Sequence, residues 1–125
     1  MIKITNAKLT ASVNDVRVVA NLALPVRTSF KLAKTIKALE AAIVPYRETY
    51  EKLTEQHIEK DADGKRIEVS PGQFKLTDPR AFDLDVRELL DLEVEIDADT
   101  ISLSELDGQI LTPNVLMNLD WLITE

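Results

Sequence analysis

Residues 24–53 read LPVRTSFKLAKTIKALEAAIVPYRETYEKL, and the reading of this stretch decides the fold. Leu32, Ile36, Leu39, Ile43, Tyr46, Tyr50, Leu53 and His57 recur at alternating steps of four and three. That is the heptad spacing of a helix with one continuous apolar seam. Pro25 suits the first turn, so a helix is expected over 26–59. Pro45 falls inside it, on the side away from the seam. It removes one backbone hydrogen bond, so a kink is expected there rather than a break, because the apolar spacing continues across it. Arg27, Lys31, Lys34 and Lys37 precede the first acid, and Glu48, Glu51 and Glu55 follow. This order opposes the helix dipole, whose positive N-terminus favours acids.

The other elements follow outward from this helix. Ile2 and Ile4 alternate as a short strand, and Asn6 reads as the cap of a helix over 7–22, with Leu9, Val13, Val16 and Ala20 on one face. Asp63-Gly64 and Pro71-Gly72 are turn signals around RIEV and QFKL, a hairpin protruding at 61–77. Asp78 caps a helix over 79–91 with Phe82, Val86, Leu89 and Leu90 inward. EVEI and the stretch around Ile101 and Leu103 read as short strands. Thr112 and Pro113 open a helix over 113–123 with Val115, Leu116, Leu119 and Leu122 inward. The expected fold is α+β and α-rich, a single domain over 1–125 of about four helices with short antiparallel strands. The second helix, at about 45 Å, outruns the first at about 24 Å, so part of its seam must meet something else: another helix or a second copy.

Composition narrows the classes of function. The 125 residues carry 15 Lys/Arg and 22 Asp/Glu, a net charge of −7. Residues 1–60 account for +4 and residues 61–125 for −11, so the basic front and acidic back halves invite contact within or between molecules. The absence of cysteine removes disulfides, thiolate zinc sites and cysteine nucleophiles. MIKITNAKLT lacks the apolar core of a signal peptide, and no run approaches a membrane span. A soluble intracellular or particle-associated protein is expected, with no membrane partner.

No motif carries catalytic chemistry. Glu93, Glu95, Asp97 and Asp99 alternate and would share a strand face, where they could hold a hard cation. Alternate acids are also what a solvated edge strand shows, and that reading is the stronger one. DADG at 61–64 lacks the glutamate that a calcium loop needs at its twelfth position, where Gly72 stands. His57, the one histidine, falls on the seam, and the three glycines stand singly, so neither a triad nor a phosphate loop can be assembled. No cofactor is expected. The basic stripe of Arg27, Lys31, Lys34 and Lys37 is either a solvated face or a contact for an acidic surface. Nucleic acid is disfavoured, with only Phe30 nearby to stack and the chain acidic overall. Trp121 fits a core anchor or an interface anchor equally.

KITNAKL, LPVRTSFKLAKTIKALE, YRETYEKL, EKDADGKRIEV, ELLDLEVEIDADTISLSEL and LTPNVLMNLDWLI together resemble a family of small tailed-bacteriophage proteins that form a domain of unknown function. The resemblance spans nearly the whole chain, and its motifs are structural. It implies a phage origin, a place in the host bacterial cytoplasm or the virion, and no catalytic residues to carry over. The expectation is a non-enzymatic protein acting by protein–protein interaction in virion or tail assembly, self-associating, with Arg27, Lys31, Lys34, Lys37, Tyr46 and Tyr50 as partner-binding residues. The alternative is an anti-defence inhibitor or sponge that binds a nucleotide signal or a host protein.

Overall fold

The computed structural model describes residues 1–125. Its elements run β1 (Ile2–Thr5), α1 (Asn6–Ala20), α2 (Val26–His57), β2 (Glu68–Ser70), β3 (Gln73–Phe74), α3 (Pro79–Asp91), β4 (Glu93–Ile96), β5 (Ile101–Ser102), a 3-10 turn at Leu103–Leu106, α4 (Pro113–Asn118) and β6 (Ile123–Thr124). Four α-helices dominate and the strands are short pairs, so the fold is α-rich α+β. No helix is long and apolar enough to cross a membrane. The chain divides into two compact units. One comprises Met1–Val44 with Leu92–Glu125, the other Pro45–Asp91. Helix α2 supplies residues to both and runs without interruption through Pro45.

In the first unit the ends of the chain segments are tied by backbone pairing. β1 runs antiparallel to β4, with Ile2 opposite Ile96, Lys3 opposite Glu95 and Ile4 opposite Val94. Ile4 and Ile96 are buried, while Lys3 and Glu95 form an opposite-charge pair on the outer face, the arrangement that favours such a register. Thr5, not Asn6, caps α1: its hydroxyl accepts from the Lys8 amide at 3.2 Å. Asn6 is instead the first helical residue and is buried, its own amide donating to the Leu92 carbonyl at 2.9 Å. The helix ends at Ala20, where the Asn21 amide closes onto the last carbonyls, rather than running to 22.

Leu9, Val13, Val16 and Val19 of α1 and Leu32, Leu39 and Ile43 of α2 are buried with Ile96, Ile101, Leu106, Leu119 and Leu122. Each full burial of such a side chain contributes about 1.5–3 kcal/mol. Thr28, Thr35 and Ser12 are buried beside them. Thr35 returns its hydroxyl to the Lys31 carbonyl at 2.9 Å, which keeps a buried polar group satisfied.

The C-terminal helix stops at Asn118, five residues before its expected end at 123. Two of its last carbonyls also find partners on α1. Lys8 Nζ donates to the Met117 carbonyl at 3.3 Å and meets Asp120 at 3.0 Å. Ser12 Oγ lies 2.9 Å from the Asn118 carbonyl, and Asn118 Nδ2 donates to Asp15 at 2.6 Å. Trp121 Nε1 donates to Ser12 Oγ at 2.9 Å, so the indole anchors this packing. The chain then turns, burying Leu119 and Leu122, and β6 pairs in parallel with β5. Leu116, expected inward, is 36% exposed because the short helix presents only one face to α1.

In the second unit α2 ends at His57, two residues short of expectation, because Ile58 leaves to pair with Leu76. Three strand-like segments then close on one another. The Glu59 amide donates to Lys75 at 2.8 Å, the Lys75 amide to Ile67 at 2.7 Å, and the Ile67 amide to Glu59 at 3.0 Å. Each residue donates once and accepts once, a ring of three backbone bonds beneath the β2–β3 hairpin. Gly64 and Gly72 turn the chain with φ of 78° and 77°, a region that glycine adopts without a Cβ penalty. Asp78 caps α3 as expected, accepting from Arg80 and Ala81 amides. Of the face assigned to α3, Leu89 is buried and Phe82, Val86 and Leu90 are half-buried.

Ser12→Ala leaves the Trp121 indole N–H without its acceptor, which costs about 1–3 kcal/mol. Urea unfolding followed by the fluorescence of Trp121, the sole tryptophan, will show the lowered midpoint. Amide hydrogen exchange checks the ring: Glu59, Ile67 and Lys75 exchange more slowly than Asp63 and Gly72, whose amides bond only to exposed side-chain carboxylates.

Candidate interaction surfaces

The six residues expected to bind a partner separate into two groups. Arg27, Lys31, Lys34 and Lys37 belong to the first unit, Tyr46 and Tyr50 to the second. Within the first, the stripe is not uniformly solvated. Lys31 Nζ meets Glu105 Oε1 at 3.2 Å, and the same oxygen accepts from Thr28 Oγ1 at 3.2 Å. Glu105 Oε2 accepts from the Ser102 amide at 2.8 Å, reaching back as acids do in the first turn of a helix. Lys34 lies 3.6 Å from Asp97 and 4.0 Å from Asp99. The acidic segment therefore folds back along the basic start of α2, and a carboxylate stands beside Thr28 in its first turn. This supplies the negative charge that the helix N-terminus lacks in its own sequence.

Two of the four acids of EVEIDAD are taken up in this way, while Glu93 and Glu95 lie on the exposed face of β4. No three His, Cys, Asp or Glu side chains converge anywhere in the chain. Hydrogen bonds from the Ser102 amide and then from Lys31 hold the Glu105 carboxyl below the ordinary glutamate range, against the opposing effect of burial.

Arg27 and Lys37 remain without an ion pair, and α2 also carries exposed apolar side chains near its start that the heptad reading passed over. Val26 is 85% exposed and Phe30 73% exposed, one turn apart on the outer face of α2. Ile110, 97% exposed, comes to the same end of the unit. Gln109 Nε2 donates to the Ala23 carbonyl at 3.3 Å and Glu105 reaches Thr28, so residues 105–110 run beside residues 23–28. The spacing of Val26 and Phe30, four apart and off the seam, is a visible signal in the sequence. Ile110 had none, since only the fold brings it there.

Within the second unit, Tyr46 and Tyr50 stand 6.1 Å apart, and Phe82 meets Tyr50 edge-on at 6.1 Å. His57 meets the same Phe82 ring at 5.4 Å and hydrogen-bonds Asp85 at 2.8 Å, which joins the end of α2 to α3. Burial, and then the neighbouring Tyr50, raise the Tyr46 hydroxyl above the usual tyrosine range. A cleft of about 350 Å³ opens among Tyr50, Ile58, Val69, Phe74, Leu76 and Phe82. A wider recess adjoins it, lined by Glu48, Glu51, Lys52, Glu55 and Arg66. Glu55 is held between Lys60 and Arg66, and the bonds they make lower its proton affinity.

Because the folded value of Glu105 is depressed, the unfolded chain takes up its proton first as pH falls. The stabilisation is complete above the ordinary glutamate value and is lost as pH drops through the lowered folded value. Glu105→Gln is expected to cost about 1 kcal/mol at neutral pH. It also flattens the loss of stability through the acidic range below the ordinary glutamate value. Urea midpoints across that range, read from Trp121, test both. No family model matches the chain, and no curated protein or solved structure matches it either.

Proposed function

We propose that this protein works by binding another protein rather than by catalysis, as an assembly or structural accessory in the phage setting that its sequence resembles, acting in the host cytoplasm or the virion. One observation carries this reading: Val26, Phe30 and Ile110 stand largely exposed at one end of the first unit, with the unpaired Arg27 next to Val26 and the unpaired Lys37 two turns along α2 from Phe30. Apolar side chains gathered at a rim of charge are the usual mark of a contact surface. An aromatic anchor such as Phe30 supplies most of the affinity, and the basic residues steer the approach of an acidic partner. A nucleotide at the stripe would have to displace Glu105, Asp97 and Asp99 from Lys31 and Lys34, which favours the protein-binding reading over the sponge.

The test places a photo-cross-linking phenylalanine analogue at position 30 and makes the chain at native level in infected cells. A discrete adduct that sediments with particles or assembly intermediates is expected, lost on combining Arg27→Glu with Lys37→Glu. Absence of any adduct overturns the binding role, and an adduct confined to free host protein overturns the assembly role.

A further inference from the structure

The cleft of the 45–91 unit has the chemistry that the exposed end of α2 lacks. Its walls are Tyr50, Phe74 and Phe82 with Val69, Ile58 and Leu76, and Tyr50, Phe74 and Val69 remain 38%, 38% and 61% exposed. At about 350 Å³ it lies at the small end of the range for binding clefts, about 300–1,000 Å³. That suits one aromatic side chain with an aliphatic neighbour.

Its surroundings are acidic. Residues 45–91 carry twelve Asp/Glu and eight Lys/Arg. In the recess beside the cleft Glu55 is neutralised by Lys60 and Arg66, but Glu48 and Glu51 make no ion pair, with Lys52 as the one free base among them. Residues 24–39, by contrast, carry four bases and no acid. Two of those bases are spent on Glu105, Asp97 and Asp99, which leaves Arg27 next to Val26 and Lys37 two turns along α2 from Phe30.

We infer that the occupant of this cleft is a second copy of the chain, which inserts Phe30 and Val26 between Tyr50, Phe74 and Phe82 while Arg27 and Lys37 meet Glu48 and Glu51. The inference rests on the protein-binding reading above and names the partner. The two surfaces are different, so the contact is heterologous. A joined pair keeps one free knob and one free cleft, and growth ends only where a ring closes. A contact of one aromatic and one aliphatic anchor is small, which places it among weak, transient associations. Charge steering makes it salt-sensitive.

Analytical ultracentrifugation of the purified full chain tests this. The weight-average mass is expected to rise through the micromolar range in low salt and to fall several-fold in association constant at high salt. Phe30→Ser removes the knob, and Val69→Ser combined with Phe74→Ser removes the cleft wall. Circular dichroism confirms that both variants fold, which their exposure favours. Each variant alone is expected to be monomeric. Mixed in equal amounts, they form a dimer and nothing larger, because one intact knob meets one intact cleft and both outer faces are dead.

A wild-type chain that stays monomeric to about 1 mM in low salt overturns the inference. So does association that survives both variants, or a mixture that remains monomeric. A monomeric pure protein that still cross-links through position 30 in cells would leave protein binding intact and eliminate the second copy as partner.

Discussion

The carboxylate of Glu105 is the interaction on which the first unit turns. One oxygen holds Thr28 and Lys31 of α2, and the other holds the Ser102 amide of its own segment. Residues far apart in the chain are thereby joined through a single side chain that is neither fully buried nor fully solvated. A helix whose first acid is Glu40 begins against its own dipole, and Glu40 itself faces Arg17 at 3.1 Å. Carboxylates borrowed from the 97–105 segment offset that mismatch. An isolated surface ion pair contributes little, but a charge that also accepts a backbone amide contributes more.

Ser12 has the same role for the C-terminus. Its hydroxyl has one proton to give and lies beside both the Lys8 and the Asn118 carbonyl, while the Trp121 indole donates to it. An alanine there would lack the hydroxyl and leave the indole unpaired. Because Ser12 satisfies the end of α4 sideways, the chain can turn after Asn118 and lay Ile123 beside Ile101.

Much of this architecture was legible in the sequence. The helix of α2 with its buried Leu32, Leu39 and Ile43, the Pro79 and Pro113 helix starts with their Asp78 and Thr112 caps, and the two glycine turns stand where spacing and turn chemistry put them, while the later seam residues Tyr46 to His57 are only partly covered. These signals are local, and local geometry enforces them. The pairing of β1 with β4 and of β5 with β6 was not legible, because strands of four and two residues carry too little pattern to name a distant partner. Thr28, Thr35 and Ser12 escaped notice because a search for apolar periodicity passes over buried hydroxyls. The surfaces divided similarly. The stripe of Arg27, Lys31, Lys34 and Lys37 was legible as a whole, but that Lys31 and Lys34 are the ones neutralised depends on where the acidic segment folds.

The three-bond ring of Glu59, Ile67 and Lys75 sets the base of the chain reversal at residues 60–66 independently of its tip. Asp61 closes the tip on its own, accepting from the Asp63 and Lys65 amides and donating to the Lys65 carbonyl. Loop length enters the closure entropy only logarithmically, so a longer tip costs little once the base is held. The turn at Asp63 and Gly64 is therefore a natural port of insertion, where an epitope, a fluorophore or a whole foreign module could be carried without disturbing either surface proposed for binding.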